Sequence, residues 1–136
     1  MKPPIVYLAG PINGCTDSEA SGWRAGFMAS LPHCGFLDPM VRDYRGREDE
    51  CLNEIVELDK KDINDCDIFL AYHWKKSDGT SMEIYHAWLL RRQRQCYQRV
   101  VVVIPKDQPI SPWVRYHSDV IVPTLEEAKL WIESNW

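Results

Sequence analysis

Three short apolar runs constrain this chain more than any other feature: IVYLAG at 5–10, DIFLAYH at 67–73 and RVVVVIP at 99–105. Each is rich in β-branched or aromatic residues, and none alternates cleanly with polar ones. That is the pattern of parallel strands covered on both faces. DVIVP (119–123) and GFLDP (35–39) supply two further strands. Helical patterns fill the gaps at 18–31, 48–65, 80–95 and 124–136, the last opening with a capping box of Thr124 and Glu127. The order predicts an α/β domain spanning 1–136, a doubly wound, mostly parallel five-stranded sheet with helices on both faces (flavodoxin/Rossmann-like). Ligands of such sheets bind outside the carboxyl ends of the strands, near the point where strand order reverses. The segments to inspect are therefore GPINGCTD, PMVRDYRGRED, HWKKSDGTSME and KDQPISPWVRYHS.

Composition narrows the partners. With 136 residues, 45% hydrophobic and 26% charged, the chain suits one soluble domain. A net charge of −4 disfavours a grip on a nucleic acid polymer. Cys15, Cys34, Cys51, Cys66 and Cys96 are odd in number and lack a C-x-x-C spacing. This argues against a disulfide framework or a zinc knuckle and for a reducing, cytoplasmic setting. The run from Ile5 to Gly10 is cut by Pro11, too early for a signal peptide or a membrane span. The four histidines show no metal-ligand spacing, so neither a metal nor a cofactor is expected.

Two carboxylates stand out. In the 48–65 helix, Leu52, Ile55, Val56 and Ile63 form an apolar stripe whose i+7 position is Asp59. A carboxylate there either sits at the stripe's edge paired with a lysine, or faces a cavity or does a job, because burying it bare is costly. Asp62 and Asp65 read as solvated acids. Glu83 follows the turn Asp78-Gly79, and Thr80-x-x-Glu83 has capping-box spacing. The same placement, after a central strand and in the first turn of a helix, also suits a nucleophile that the helix N-terminus keeps ionised.

Three loops add candidates, two of them with two readings each. GPING (10–14) matches neither the Walker A loop nor the dinucleotide fingerprint. VRDYRGR gathers Arg42, Arg45 and Arg47, either an anion clamp or a loop whose arginines pair with neighbouring acids. SPWVRYHS brings together Trp113, Tyr116 and His117, able to stack on a nucleobase or to cover the sheet edge.

With these residues in view, the chain resembles the nucleoside 2-deoxyribosyltransferase family from Ile5 to about Ala128. The likeness rests on YLAGPI at 7–12, the run from Asp59 through Ile63 to Asp67-Ile68, and DGTSME at 78–83, in the family's order. It implies that Glu83 attacks the anomeric carbon to give a covalent deoxyribosyl-enzyme, that Tyr7 orients Glu83, and that Asp59 contacts and protonates the base. The substrate-binding set it implies comprises Gly10, Pro11, Ile12 and Asn13 after the first strand, with Arg42. Asp78, Gly79 and Ser81 follow near the nucleophile, and Ser111 and Trp113 come near the C-terminal strand. Asp78 lies one residue nearer the nucleophile than the family's 5′-hydroxyl aspartate, with Ser77 or Ser81 as alternatives. Ser111 stands where the transferases often place an asparagine from a neighbouring subunit and where related nucleotide N-glycosidases bind a 5′-phosphate.

The chemistry agrees with that assignment. Cleaving an N-glycosidic bond develops oxocarbenium character at C1′, which one carboxylate traps while an acid protonates the leaving base. The expected activity is transfer of deoxyribose from a 2′-deoxyribonucleoside to another free nucleobase, by a homo-oligomer. A nucleoside 5′-monophosphate N-glycosidase using the same Glu83 is the rival, and a non-catalytic nucleotide-binding module is the reading from another class.

Overall fold

The computed structural model describes residues 2–94 and 98–136. Its centre is a sheet of five parallel strands: β1 (Ile5–Ala9), β2 (Gly35–Leu37), β3 (Ile68–Tyr72), β4 (Arg99–Val103) and β5 (Val120–Val122). They lie in the order β2-β1-β3-β4-β5. Every pairing is parallel, so "mostly parallel" becomes wholly parallel.

Strand periodicity explains the unbroken apolar runs. Successive side chains point to opposite faces, and here both faces are covered. On one face Tyr7, Phe69, Val100 and Val102 pack with Ile63 of α2 (Leu52–Asp65) and Ile84 of α3 (Asp78–Arg94). On the other, Val6, Leu8, Leu70 and Val101 pack with Phe27 of α1 (Trp23–Ser30) and with Ala128 and Ile132 of α5 (Leu125–Asn135). Polar residues bracket these runs rather than interrupt them. The Asp67 carboxylate accepts from Ile5 N–H at 2.8 Å, and that of Asp119 accepts from Val100 N–H at 2.7 Å.

Winding reverses between β1 and β3, which puts their carboxyl ends at the crevice where such sheets bind ligands. Several boundaries differ from those the pattern predicts. The 18–31 segment divides into a π-helical turn (Ser18–Gly22) and α1. Residues before Leu52 form turns ahead of α2. The 111–117 loop contains a short helix, α4 (Pro112–Tyr116), where Ser111 Oγ accepts from Trp113 N–H. Thr124 caps α5 by accepting from Glu127 N–H, as its spacing predicts. Cys15, Cys34, Cys51 and Cys66 are free thiols, whereas Cys96 and the last residue of the predicted 80–95 helix lie outside the described residues. Among the described residues, no helix is long and apolar enough to cross a membrane.

Candidate active site

Glu83 enters the site from α3, but not as a cap. The helix starts at Asp78, and the hydroxyl of Ser77 accepts from Thr80 N–H at 3.2 Å. Thr80 Oγ1 bonds the same hydroxyl at 3.0 Å. Ser77 thus does the capping, and the predicted Thr80–Glu83 box does not form. Glu83 sits beyond the first turn and accepts a 2.5 Å hydrogen bond from the Tyr7 hydroxyl on β1. The expectation that the helix N-terminus keeps Glu83 ionised is also corrected, since that effect fades beyond the first turn. Burial, then the negative charge of Asp59, pushes the Glu83 pKa up to about 8, against opposing contributions from Tyr7 and Arg24. Burial and the facing carboxylates likewise hold the Tyr7 phenol well above its usual range.

Asp59 comes from α2. Its pKa is raised by burial, with Arg42 pulling the other way. Arg42 Nη2 lies 3.3 Å from Asp59 Oδ1 and 2.8 Å from Asp62 Oδ2. Asp62 is therefore a paired acid and not the solvated one its position suggested. Asp65 does sit on the surface, 3.0 Å from Lys61 Nζ. The arginine loop follows its bland reading, since Arg45 pairs with Asp17 and Asp43 at 2.7 Å each. Arg47 lies over the Tyr44 ring.

The apolar stripe of α2 is only partly inside. Ile63 is fully buried, yet Leu52 is 64% and Val56 40% exposed. These residues flank open clefts rather than core.

Two clefts meet at α3. One, of about 300 Å³, is lined by Glu83, Asp59, Arg42, Gly10, Ile12, Asn13, Gly79 and the loop residues Tyr44 and Glu48. Gly10 is required there by close approach, since a Cβ would come within 2.8 Å of Trp23 Cζ2 and 3.2 Å of the Tyr72 carbonyl. Pro11 is buried in the same loop. The other cleft, of about 350 Å³, is lined by Asp78, Ser81, Ser111 and Trp113 together with His73, Lys76 and Ser77. Trp113 is 72% exposed and stacks on His117, which is buried among Tyr85, Trp88 and Tyr116. Tyr7, Asp59 and Glu83 thus come together at the switch point, while the ten other candidates divide between the two sides of α3.

Sequence reasoning named Ser77 only as an alternative to Asp78 and not as the cap, and it passed over Arg24. Ser77 was findable as a cap residue directly before Asp78-Gly79. Arg24 gave no such signal, because an arginine in an amphipathic helix ordinarily reads as surface.

Among the described residues, no group of three His, Cys, Asp or Glu could hold a metal ion.

The five-stranded, wholly parallel sheet in the order β2-β1-β3-β4-β5 defines the class of fold, and solved structures share that fold. The 2-deoxyribosyltransferase of Bacillus psychrosaccharolyticus superposes with a TM-score of 0.69 at 15% identity, over 92% of this chain and 90% of that one. A 2-deoxyribosyltransferase from Leishmania mexicana gives 0.70 at 14%, over 98% and 100%. The CMP N-glycosidase of Clostridium botulinum gives 0.61 at 15%, over 97% and 99%. Compared by sequence alone, the chain matches no curated protein. Its family is nonetheless defined: residues 4–93 match the domain of unknown function DUF4406, and the chain belongs to that family.

Proposed function

We propose that this protein is an N-glycosyl-transferring enzyme that moves 2-deoxyribose from a 2′-deoxyribonucleoside to another free nucleobase. The observation that carries the reading is the 2.5 Å bond from Tyr7 to Glu83, with Asp59 lining the same cleft. Tyr7 fixes one oxygen of the carboxylate and leaves the other free to meet C1′. As the glycosidic bond breaks, its electron pair leaves with the base, and Asp59 donates a proton to that base. Glu83 forms a bond to C1′, and an incoming base displaces it, returning its N–H proton to Asp59 as its nitrogen bonds C1′, with net retention.

At about 8, the pKa of Glu83 leaves it mostly protonated at pH 7 in the free protein. Loss of that proton therefore precedes attack. Incubating the protein with a deoxynucleoside and a different free base tests the proposal. Base exchange, and a sugar adduct on Glu83, are the expected results. Exchange that persists in Glu83→Ala excludes this nucleophile.

A second reading, hydrolysis of a nucleoside 5′-monophosphate, is favoured by the composition of the cleft beside the start of α3. Lys76, His73, Ser77, Ser81 and Ser111 together offer a cation and several hydroxyls to a 5′-phosphate. Release of a sugar phosphate from a monophosphate, without base exchange, supports it.

Homo-oligomerisation forms part of the proposal. A groove of about 670 Å³ between α2 and α3 is lined by Val56, Met82, Tyr85 and Trp113 and reaches both Asp59 and Glu83. A second copy seated there would dry the base-binding side. Light scattering reads the assembly directly, and a monomer at assay concentration removes this element.

A further inference from the structure

Arg24 is 0% exposed, the largest of the fully buried side chains. A guanidinium in such a place is costly unless its donors are satisfied. Here they are satisfied mainly by neutral carbonyls. Nε donates to Leu8 O at 3.2 Å, Nη2 donates to Gly10 O at 3.1 Å, and Nη1 donates to Ala20 O in the π-helical turn. The nearest carboxylate oxygen, Asp38 Oδ1, lies 3.7 Å away, at the end of β2. The guanidinium also lies over the Trp23 ring, 4.6 Å from its centroid. One side chain thereby joins α1, the π-helical turn and the end of β1, beside the strand residue whose hydroxyl holds Glu83.

We propose that Arg24 is a positioning residue, a buried cation that clamps the carboxyl end of β1 and supplies fixed positive charge behind the Tyr7–Glu83 pair. The clamp rests on carbonyls, so its charge is only partly neutralised within the clamp and extends to the site. Asp38, Tyr7, Glu83 and the Cys15 thiol are the titratable groups that feel it. From the side of Glu83, the groups are Asp59 on α2, Tyr7 on β1 and Arg24 on α1. Arg24 is the cation among them and favours the carboxylate that attack requires. In this respect the inference rests on the proposed role of Glu83.

The test needs no substrate. Carbon-13 NMR of the glutamate carboxyls follows the Glu83 proton directly in the free protein. Arg24→Met should raise its proton affinity by about tenfold. Arg24→Lys, which keeps the charge and loses the fork, should bring the titration back toward wild type. Asp38→Asn can still accept from Met40 N–H as Asp38 does, and it leaves Arg24 un-neutralised. It should shift Glu83 in the opposite direction. Opposite shifts support the proposal, because general loosening of the site would move both variants the same way. Shifts of one sign, or none in either folded variant, overturn it. If Arg24→Met does not fold, Asp38→Asn alone decides: a fall in Glu83 proton affinity supports the proposal, and no fall overturns it. Failure of base exchange in wild-type protein would sink the enzymatic reading and leave this titration result standing.

Discussion

Two arginines flank the site, and their surroundings differ. Arg24 lies behind β1, buried, with carbonyl partners and one carboxylate at 3.7 Å. Arg42 lies in the cleft, half-buried, with two carboxylates on one nitrogen at 2.8 and 3.3 Å. The first cation is tied down by dipoles and keeps its long-range field. The second is neutralised on the spot by Asp59 and Asp62. The rear of the site is therefore a fixed support, and the front is a local balance among carboxylates that a ligand can alter.

The largest expected effect tests what both arginines serve. Glu83→Gln should abolish turnover. It should also change how stability depends on pH. The folded pKa of Glu83, about 8, exceeds its ordinary 4.5, so the folded state binds the extra proton between those values. The stability tied to Glu83 is complete below about pH 4.5 and is lost as pH rises through about 8. Glu83→Gln should thus melt higher than wild type at pH 9 and about equally at pH 4.5. Calorimetry at the two pH values checks this, and an equal gain at both would contradict the burial of an ionisable group.

Next comes the rear support itself. Arg24→Met leaves Asp38 and three carbonyls without their partner and should cost roughly 3–5 kcal/mol in denaturant unfolding. Arg42→Met, at the half-buried front, should cost only about 1 kcal/mol. Equal losses would erase the distinction between the two sites. Gly10→Ala probes the same support sterically, forcing a Cβ toward Trp23 and the Tyr72 carbonyl. About 1–3 kcal/mol of destabilisation is expected.

The smallest effects sharpen the front. Arg42→Met removes the cation that opposes burial at Asp59, so Asp59 should hold its proton to higher pH. Asp59→Asn removes a negative charge facing Glu83, so Glu83 should lose its proton at lower pH. Carboxyl NMR titration reads both, and a shift of either sign opposite to these would overturn the charge balance described above. Lys61→Ala, on the outer side of α2, serves as the control and should leave the melting temperature unchanged.

Most of the fold was legible because burial on both faces leaves an unmistakable mark in IVYLAG, DIFLAYH and RVVVVIP. Loop-borne features were less so. The helix at Pro112–Tyr116 is too short for periodicity to register. Thr80-x-x-Glu83 has the spacing of a cap, and only tertiary contact explains why Glu83 turns to Tyr7 instead. The α2 stripe suggested core, yet Leu52 and Val56 are exposed, because hydrophobic periodicity cannot tell core from the wall of a cleft. Asp59 was legible as a misfit on that stripe. Its partner Arg42 was legible as a substrate-binding candidate in an arginine-rich loop, but not as the partner of Asp59. Arg24 was invisible because the carbonyls that make its burial tolerable carry no side-chain signature.

The bond between Tyr7 and Glu83 spans 76 residues of chain. During synthesis at about 5–20 residues per second, its two ends leave the ribosome roughly 4–15 s apart. β1 is made first, yet its neighbours in the sheet are β2 and β3, so it waits for both. The carboxylate that Tyr7 holds arrives later still. The Tyr7–Glu83 pair is thus withheld from the nascent chain until the centre of the sheet has closed.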